Sequence, residues 1–561
     1  MGDVLEYIVD GTSGLAPGGV DGSAIVAGVC SKGTVGKGYL LGKSSDLAGL
    51  LGVGPLVDRL RDLFATGGQS ATAIAVPVAG QPGGYVSPVR HTGTGPEASV
   101  SGVPAQNADA LVQIMDAGAL GAATCKLSLD NGKTWQATTA TPASGQVPLG
   151  ASGATLVLAD AEQVAGDQYA VTVRTAIGPV SKIGNGPDIT AAGTPKAAAE
   201  VVLQVVTAGG RNEGTYTLSV DGDSFGPERT IPADGVIQVG DSGVTITWPD
   251  QTGQDGVAGD TYSFQALAPV PTIIDVMSAL ATPLERYDVE FVHVVGPTDA
   301  VDWAALGAKA DTLWNLHRPT FFLCETRLPF DGEDIYDWTA AMLKERASYA
   351  HRFVSVCCQF GEVMDVTGKR LTRNWGGLAA GRIMSIPVMR AMGRVRDGGI
   401  APATLPEEWN EAVQQQLEKA GFITAKRYAG LSGAYWGDAR TLAEATSDYQ
   451  YIEVLRTVFK AVRKLRIQAL KSMYDEAGDP RVGGGAAGIE FLRTNLGLAL
   501  DTMVRAVPQE LAGYVLTIPE GQDIVNNGLA VEPRLVGIPI IRQIKLFASY
   551  YYAGSALDPR G

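Results

Sequence analysis

Alternation of apolar and polar positions is strongest near the C-terminus. There Ile538, Ile540, Ile544 and Leu546 recur every second residue, interrupted at Arg542, and Ile541, Phe547 and Tyr551 load the other face. This period predicts a β-strand over 534–554. An apolar strand with no later strand to cover it needs a neighbour, and a second copy of the chain is the expected source. A shorter alternation at the other end, Val4 and Ile8 against Leu5, Tyr7 and Val9, predicts another exposed strand, followed by the glycine-dense connector GTSGLAPGGVDGS.

Between these ends, strand and helix patterns alternate. SAIVAGVC and ATAIAVPV read as buried strands around a helix that opens at Pro55, buries Leu56, Leu60, Leu63 and Phe64, and stops at Gly67. A shorter helix, SSDLAGLLG, precedes it with Ser44 or Ser45 as its cap. After Pro271 the α/β texture resumes: helix TIIDVMSALA, strand DVEFVHVVG, helix Ala300–Leu316, strand PTFFLCET, helix Asp334–Tyr349 and strand RFVSVCCQF. Helices are also predicted over Trp375–Met392, Tyr449–Tyr474 and Ile489–Ala506, with Gly483–Gly488 as a hinge and GYVLTIP as a strand.

From about Pro96 to Pro271 the chain is rich in Thr, Ser, Gly and Val and contains an internal repeat. Leu127-Ser128-Leu129-Asp130 answers Leu218-Ser219-Val220-Asp221, Leu149-Gly150 answers Val239-Gly240, and Val164-Ala165-Gly166-Asp167 answers Val257-Ala258-Gly259-Asp260, at offsets of 91, 90 and 93 residues. Hairpin turns at Asp130-Asn131-Gly132 and Asp221-Gly222 support two tandem β-sandwich modules. The fold class expected is therefore a discontinuous α/β (α+β) core with two inserted β-sandwich-like modules and extended terminal strands. Residues 1–22 read as arm and linker, 23–95 as the first part of the core, 96–190 and 191–271 as the modules, 272–482 as the second part of the core and 483–561 as a C-terminal domain with the strand arm.

Charge narrows the function. Lys and Arg number 44 against 59 Asp and Glu, a net charge of −15, which argues against a protein that coats nucleic acid. The exception is a helix face carrying Lys460, Arg463, Lys464, Arg466 and Lys471, read either as solvated or as an interface with an acidic surface. The five cysteines are odd in number and lack CxxC spacing, so reduced thiols are expected. Neither a membrane span nor a secretory leader is expected. Gly240-Asp241-Ser242-Gly243 is similar to the nucleophile tetrapeptide of chymotrypsin-like serine proteases. Only His91, His293, His317 and His351 are available for a triad, and the sister repeat has Gly150-Ala151-Ser152-Gly153, so a turn is the reading. No catalytic constellation, metal site or cofactor is expected, and the chain is not expected to be an enzyme. The tandem modules keep a second class open, an adhesin that binds cell-surface carbohydrate, but the exposed aromatics such binding needs are few: Trp135, Trp248, Tyr169 and Tyr262 chiefly, the last two at matching positions expected to be buried.

The whole pattern resembles the sheath proteins of contractile phage tails. The resemblance rests on the N-terminal strand with its Gly-rich leash, on GLLGVGPLVDRLRDLFATGGQSATAIAVPV, on GGLAAGRIM at Gly376–Met384, on YIEVLRTVFKAVRKL and on VEPRLVGIPIIRQIKLF, about two-thirds of the chain in all. SIPVMRAMGRVRDGGI replaces the family's usual Asp and Gly-Val-Trp residues, which points to a divergent branch nearer the Mu-like phages. The resemblance implies a subunit that stacks in rings around a tail tube and contracts from a metastable to a stable arrangement, driving the tube through the host envelope. It implies inter-subunit arms at Val4, Leu5, Tyr7, Ile8 and Val9, and at Ile538, Ile540, Ile541, Ile544, Leu546 and Phe547, which add strands to neighbours. Lys460, Arg463, Lys464 and Arg466 are the candidate tube-facing residues. The partners implied are further copies of the chain, the tail tube, the baseplate and the tail terminator, with neither nucleic acid nor membrane bound directly. Assembly in the host cytoplasm and residence in the virion tail follow from the same resemblance.

Overall fold

The computed structural model describes residues 20–250, 255–478, 486–553, 556, 557 and 559. Contacts divide the chain into two compact units, one ending at Phe459 and the other beginning at Lys460. That division falls inside a helix and not at 483, where the sequence reading put the start of the C-terminal domain.

The first unit is built on a six-stranded sheet. Its strands are β1 (Ala24–Val29), β2 (Tyr39–Gly42), β3 (Thr72–Val78), β4 (Phe291–Pro297), β5 (Phe321–Glu325) and β6 (Val354–Cys357), in the order β2-β3-β1-β4-β5-β6. All neighbours are parallel except β2, which runs antiparallel to β3. Such a sheet is covered on both faces, which is why these strands read as continuous apolar runs. Ile25, Val26, Val76, Phe291, Val292, Phe322 and Val354 are all buried. The 212 residues between β3 and β4 leave the sheet and return to the strand beside β1, so the insertion does not break the core.

Two helices lock this sheet. Helix α1 (Pro55–Thr66) starts with its proline in the first turn and is closed by Gly67. Helix α2 (Gly376–Ser385) ends at Ser385, short of the predicted Met392. Ile386 precedes Pro387 and takes an extended conformation, as residues before proline do. The glycines of α2 exist for contact with α1: a Cβ at Gly377 would lie 2.6 Å from the Arg59 carbonyl oxygen and 2.9 Å from Asp62 Cβ. At Gly381 a Cβ would collide with Leu63 and Thr66 of the same helix. The short helix before α1, Leu47–Leu51, is capped by Asp46 and not by Ser44 or Ser45.

That close approach brings buried charges together. Arg59 donates to both carboxylate oxygens of Glu325, at 2.6 and 3.0 Å, and Arg373 donates to both oxygens of Asp62, at 3.0 and 2.7 Å. His293 Nε2 lies 3.1 Å from Glu325. Burial by itself would raise the Glu325 carboxyl, but Arg59 and His293 outweigh it and hold the group below the ordinary value of 4.5. A second pair, Arg456 on Glu290 at 2.7 and 3.1 Å, fastens the start of helix α3 (Ile452–Lys471) to the same unit.

The insertion forms two modules of the same plan. In the first, Tyr85–Val86 and Arg90–Thr92 pair with Gln168–Arg174, followed by Ala108–Asp116, Thr124–Ser128 and Thr139–Ala140; a second sheet joins Gln146–Pro148, Ala154–Leu158 and Ala98–Gly102. The module therefore takes strands from before Pro96. In the second, Ser181–Ile183, Thr261–Ala266, Ala199–Thr207, Thr215–Ser219 and Arg229–Thr230 face a sheet of Thr190–Gly193, Val244–Thr247 and Val236–Gln238. Each pair of sheets encloses its own core, around Val112, Leu156 and Tyr169 and around Leu203, Ile246 and Trp248. The repeat extends to details: Tyr169 donates to the Pro96 carbonyl and Tyr262 to that of Pro187, both at 2.8 Å. Both modules are tied to the α/β core. Tyr85 packs on Phe330 and Arg174 pairs with Asp331 at 2.9 Å, while the Arg370 backbone N–H donates to Asp221.

Two outcomes follow from the buried contacts. Gly377→Ala should lower stability by about 1–3 kcal/mol, since the α1 backbone facing it must move, and a shift of the urea midpoint measures it. Glu325 ionises more readily in the folded chain, so its contribution is present above pH 4.5 and is lost as the pH falls through its lower folded value. Glu325→Gln should cost about 3–5 kcal/mol at pH 7 by taking the carboxylate that Arg59 forks onto and leaving it only the more distant Asp62, 3.9 Å away, and the variant should lose less stability than the parent as the pH falls below 4.5 in urea titrations.

Candidate assembly surface

The second unit is small. The part of α3 from Lys460 onward packs with helix α4 (Ala487–Val504) through Ala461, Leu500 and Met503, closed by Leu511. A two-stranded hairpin, β7 (Gly513–Thr517) and β8 (Glu532–Val536), lies against α4, with Tyr514 donating to the Gly497 carbonyl at 3.0 Å and bonding Asp501 at 2.9 Å. Among the described residues this hairpin pairs with no third strand. A two-stranded sheet is marginal by itself.

The sequence reading placed a strand over 534–554. The structure corrects this: the strand is Glu532–Val536, and residues 537–552 carry no secondary structure. Ile538 and Ile540 are half-buried, whereas Ile541, Ile544, Leu546 and Phe547 are 80, 73, 87 and 91% exposed. The physical reason is simple, since an extended segment becomes a strand only when another strand takes its hydrogen bonds. The stretch has the composition of a strand and no partner within the described residues of one chain. The other arm residues, Val4, Leu5, Tyr7, Ile8 and Val9, lie outside the described residues, as do residues 483–485 of the Gly483–Gly488 hinge; Ala487 and Gly488 are in α4.

The basic helix face is less open than its sequence suggests. Lys460 pairs with Glu510 at 2.6 Å, both largely buried, so it braces the second unit. Arg463 also has a partner. Lys464 is half-buried and Arg466 exposed. On the same helix Ile467 and Leu470 are exposed apolar residues, so the tip of α3 presents mixed apolar and basic groups.

Other constellations resolve into structure. Ser242 donates to the Val239 carbonyl at 2.6 Å and accepts from the Val244 N–H, which is a turn and not a nucleophile presented to a base. Cys324, Cys357 and Cys358 are buried, and burial pushes their thiols up, away from reactive thiolate. The Arg59, Glu325, His293 network escaped the sequence reading. Its signal was there, in charged residues set inside apolar runs, His293 in FVHVV and Glu325 in FFLCE.

Comparison with known proteins then places the chain. Residues 1–440 match the family described as DUF2586, N-terminal domain, and residues 448–555 match DUF2586, C-terminal domain. The chain belongs to the DUF2586 family. A protein of Haemophilus phage HP1 named "Putative tail sheath protein" is 34% identical over 189 residues, 32% of this chain and 49% of that protein. The match thus spans about half the length of that relative. Among solved structures, a sheath tail protein from Desulfitobacterium hafniense aligns over 96% of this chain and 100% of its own, at 10% identity and a TM-score of 0.40. One from Listeria innocua aligns over 93% and 96%, at 9% identity and a TM-score of 0.41. Likeness at this level carries no argument here, and nothing in the comparisons places the chain in a Mu-like branch.

For this DUF2586 chain the Lys460–Glu510 pair makes a direct test of the second unit. Lys460→Ala and Glu510→Ala should each destabilise it, and a double-mutant cycle should give a coupling of about 1 kcal/mol. A coupling near zero in thermal unfolding would show that Lys460 is not held in place by Glu510.

Proposed function

We propose that this chain is a structural, non-catalytic subunit of a contractile phage tail sheath. The observation that carries the reading is the apolar stretch 537–552, left unpaired and exposed beside a two-stranded hairpin that pairs with no third strand. Exposed apolar residues of this number on one segment mark an interaction site. A segment of strand-like composition gains main-chain hydrogen bonds only by joining another sheet, which is β-augmentation. The name of the HP1 relative points the same way.

In this reading Ile538, Ile540, Ile541, Ile544, Leu546 and Phe547 seat on the sheet of a neighbouring copy, and the N-terminal arm with Val4, Leu5, Tyr7, Ile8 and Val9 does the same elsewhere. Subunits so linked stack as rings on a tail tube, with baseplate and terminator as end partners, within the virion tail. Contraction is then a switch between two packings of rigid bodies joined by arms. Arg466 and Lys464, rather than Lys460, are the residues left to meet an acidic tube.

Electron microscopy of the chain mixed with purified tail tube tests this. The full chain should form a striated sheath on the tubes. An Ile541→Asp, Ile544→Asp variant should keep its circular dichroism spectrum, because both positions are exposed, yet leave the tubes bare. Decoration by the variant equal to that by the full chain would sink the strand-exchange reading.

A further inference from the structure

The first module carries a surface that nothing in the sheath reading uses. In its larger sheet, Ala110, Val112 and Ile114 point inward with Cys125, Leu127, Tyr169 and Val171, so the alternate residues point outward. Register places four of these in a row across four strands: Thr92 opposite Gln168, Gln168 opposite Gln113, and Gln113 opposite Lys126. At about 4.8 Å per strand the row is roughly 14 Å long. Among the described residues no hydrogen bond or ion pair engages the side-chain amides of Gln113 and Gln168, so two amides and a hydroxyl face solvent side by side.

Beside Lys126 stands Trp135, 36% exposed, with the Lys126 ammonium 4.2 Å from its ring centre. The backbone on both sides of Trp135 is held by a built turn, with the Gln136 N–H donating to the Leu127 carbonyl at 2.8 Å. Asp130 accepts from the Ser128 hydroxyl at 2.7 Å and from the Thr134 N–H and hydroxyl at 2.8 and 2.6 Å. These hydrogen bonds pull its carboxyl down to about 2. The turn is thus fixed at every ordinary pH. The second module differs: its row reads Ile183, Thr261, Gln204 and Thr217, with Phe225 in the place of Trp135. Its corresponding aspartate, Asp221, accepts the backbone N–H of Arg370, so that turn is already docked on the core.

We propose that the outer sheet face of the first module binds polysaccharide chains. A sugar ring offers an apolar C–H face, which stacks on an indole, and a rim of hydroxyls, which bond amides, hydroxyls and an ammonium. Trp135 supplies the first need, and Gln113, Gln168, Thr92 and Lys126 supply the second. A protein partner would instead call for a larger apolar patch, and the apolar groups of this face, Leu111, Met115, Ala170 and Trp135, are few and set among polar ones. The proposal does not depend on the sheath reading.

Native affinity electrophoresis of the full chain tests it, in gels cast with bacterial O-antigen polysaccharide, dextran, galactomannan or hyaluronate. Retardation is expected in at least one gel. Trp135→Ala should weaken it on the order of tenfold or more, the loss expected for truncating an aromatic anchor. Gln113→Ala should weaken it less, and Phe225→Ala should leave it unchanged. Both aromatic positions are partly exposed, and unchanged thermal unfolding confirms that the variants fold. Free migration of the full chain in all four gels, or equal retardation of Trp135→Ala, would overturn the proposal.

Discussion

The contact between α1 and α2 is the constraint on which the first unit depends. Gly377 and Gly381 let two helices approach until backbone meets backbone, and beside that contact Arg59 pairs with Glu325 and Arg373 with Asp62. The residues joined are 266 and 311 positions apart in sequence, on opposite sides of the inserted modules. Taking such charges out of water is costly unless each finds a partner with good geometry. The bidentate pairs supply it, and they also fix which helix face meets which strand. An apolar interface could slide, but a forked guanidinium on a carboxylate has one position.

That rigidity explains how the chain tolerates so large an insertion. β3 and β4 lie one strand apart on either side of β1, so the modules leave from and return to one neighbourhood of the sheet. Tyr85 on Phe330 and Arg174 on Asp331 then hold the first module against the core. Duplication gave two modules with the same strands, the same tyrosine-to-carbonyl bond and separate cores. Divergence followed at the hairpin turns, where Asp221 is committed to Arg370 while the turn of Asp130 presents Trp135.

The second unit contrasts with the first. Its core is a few residues around Leu500, and its hairpin and the following sixteen residues leave apolar groups in water. A chain that exposes Ile541, Ile544, Leu546 and Phe547 together is incomplete in the thermodynamic sense, because burying them elsewhere releases free energy at roughly 25 cal/mol per Å². Self-assembly is the natural outlet for a segment like this one.

The sequence by itself determined the alternation of strand and helix in the core, the repeat with its turns, and the apolar character of 538–547. Each of these is a local signal, a period of 2 or 3.6 residues or an offset near 91, and local signals survive without a fold. The tertiary structure alone decided the rest. Lys460 looked like part of an open basic face until Glu510, fifty residues on, was brought beside it. Helix α2 stopped at Ser385 despite its apolar continuation, because Pro387 constrains the residue before it. The stretch 537–552 has a strand's pattern without a strand's partner, and pairing is a property of two segments, which the pattern of one cannot supply. The row of Gln113, Gln168, Thr92 and Lys126 is equally invisible in sequence, since register across four strands, and not spacing along one, sets those side chains in line.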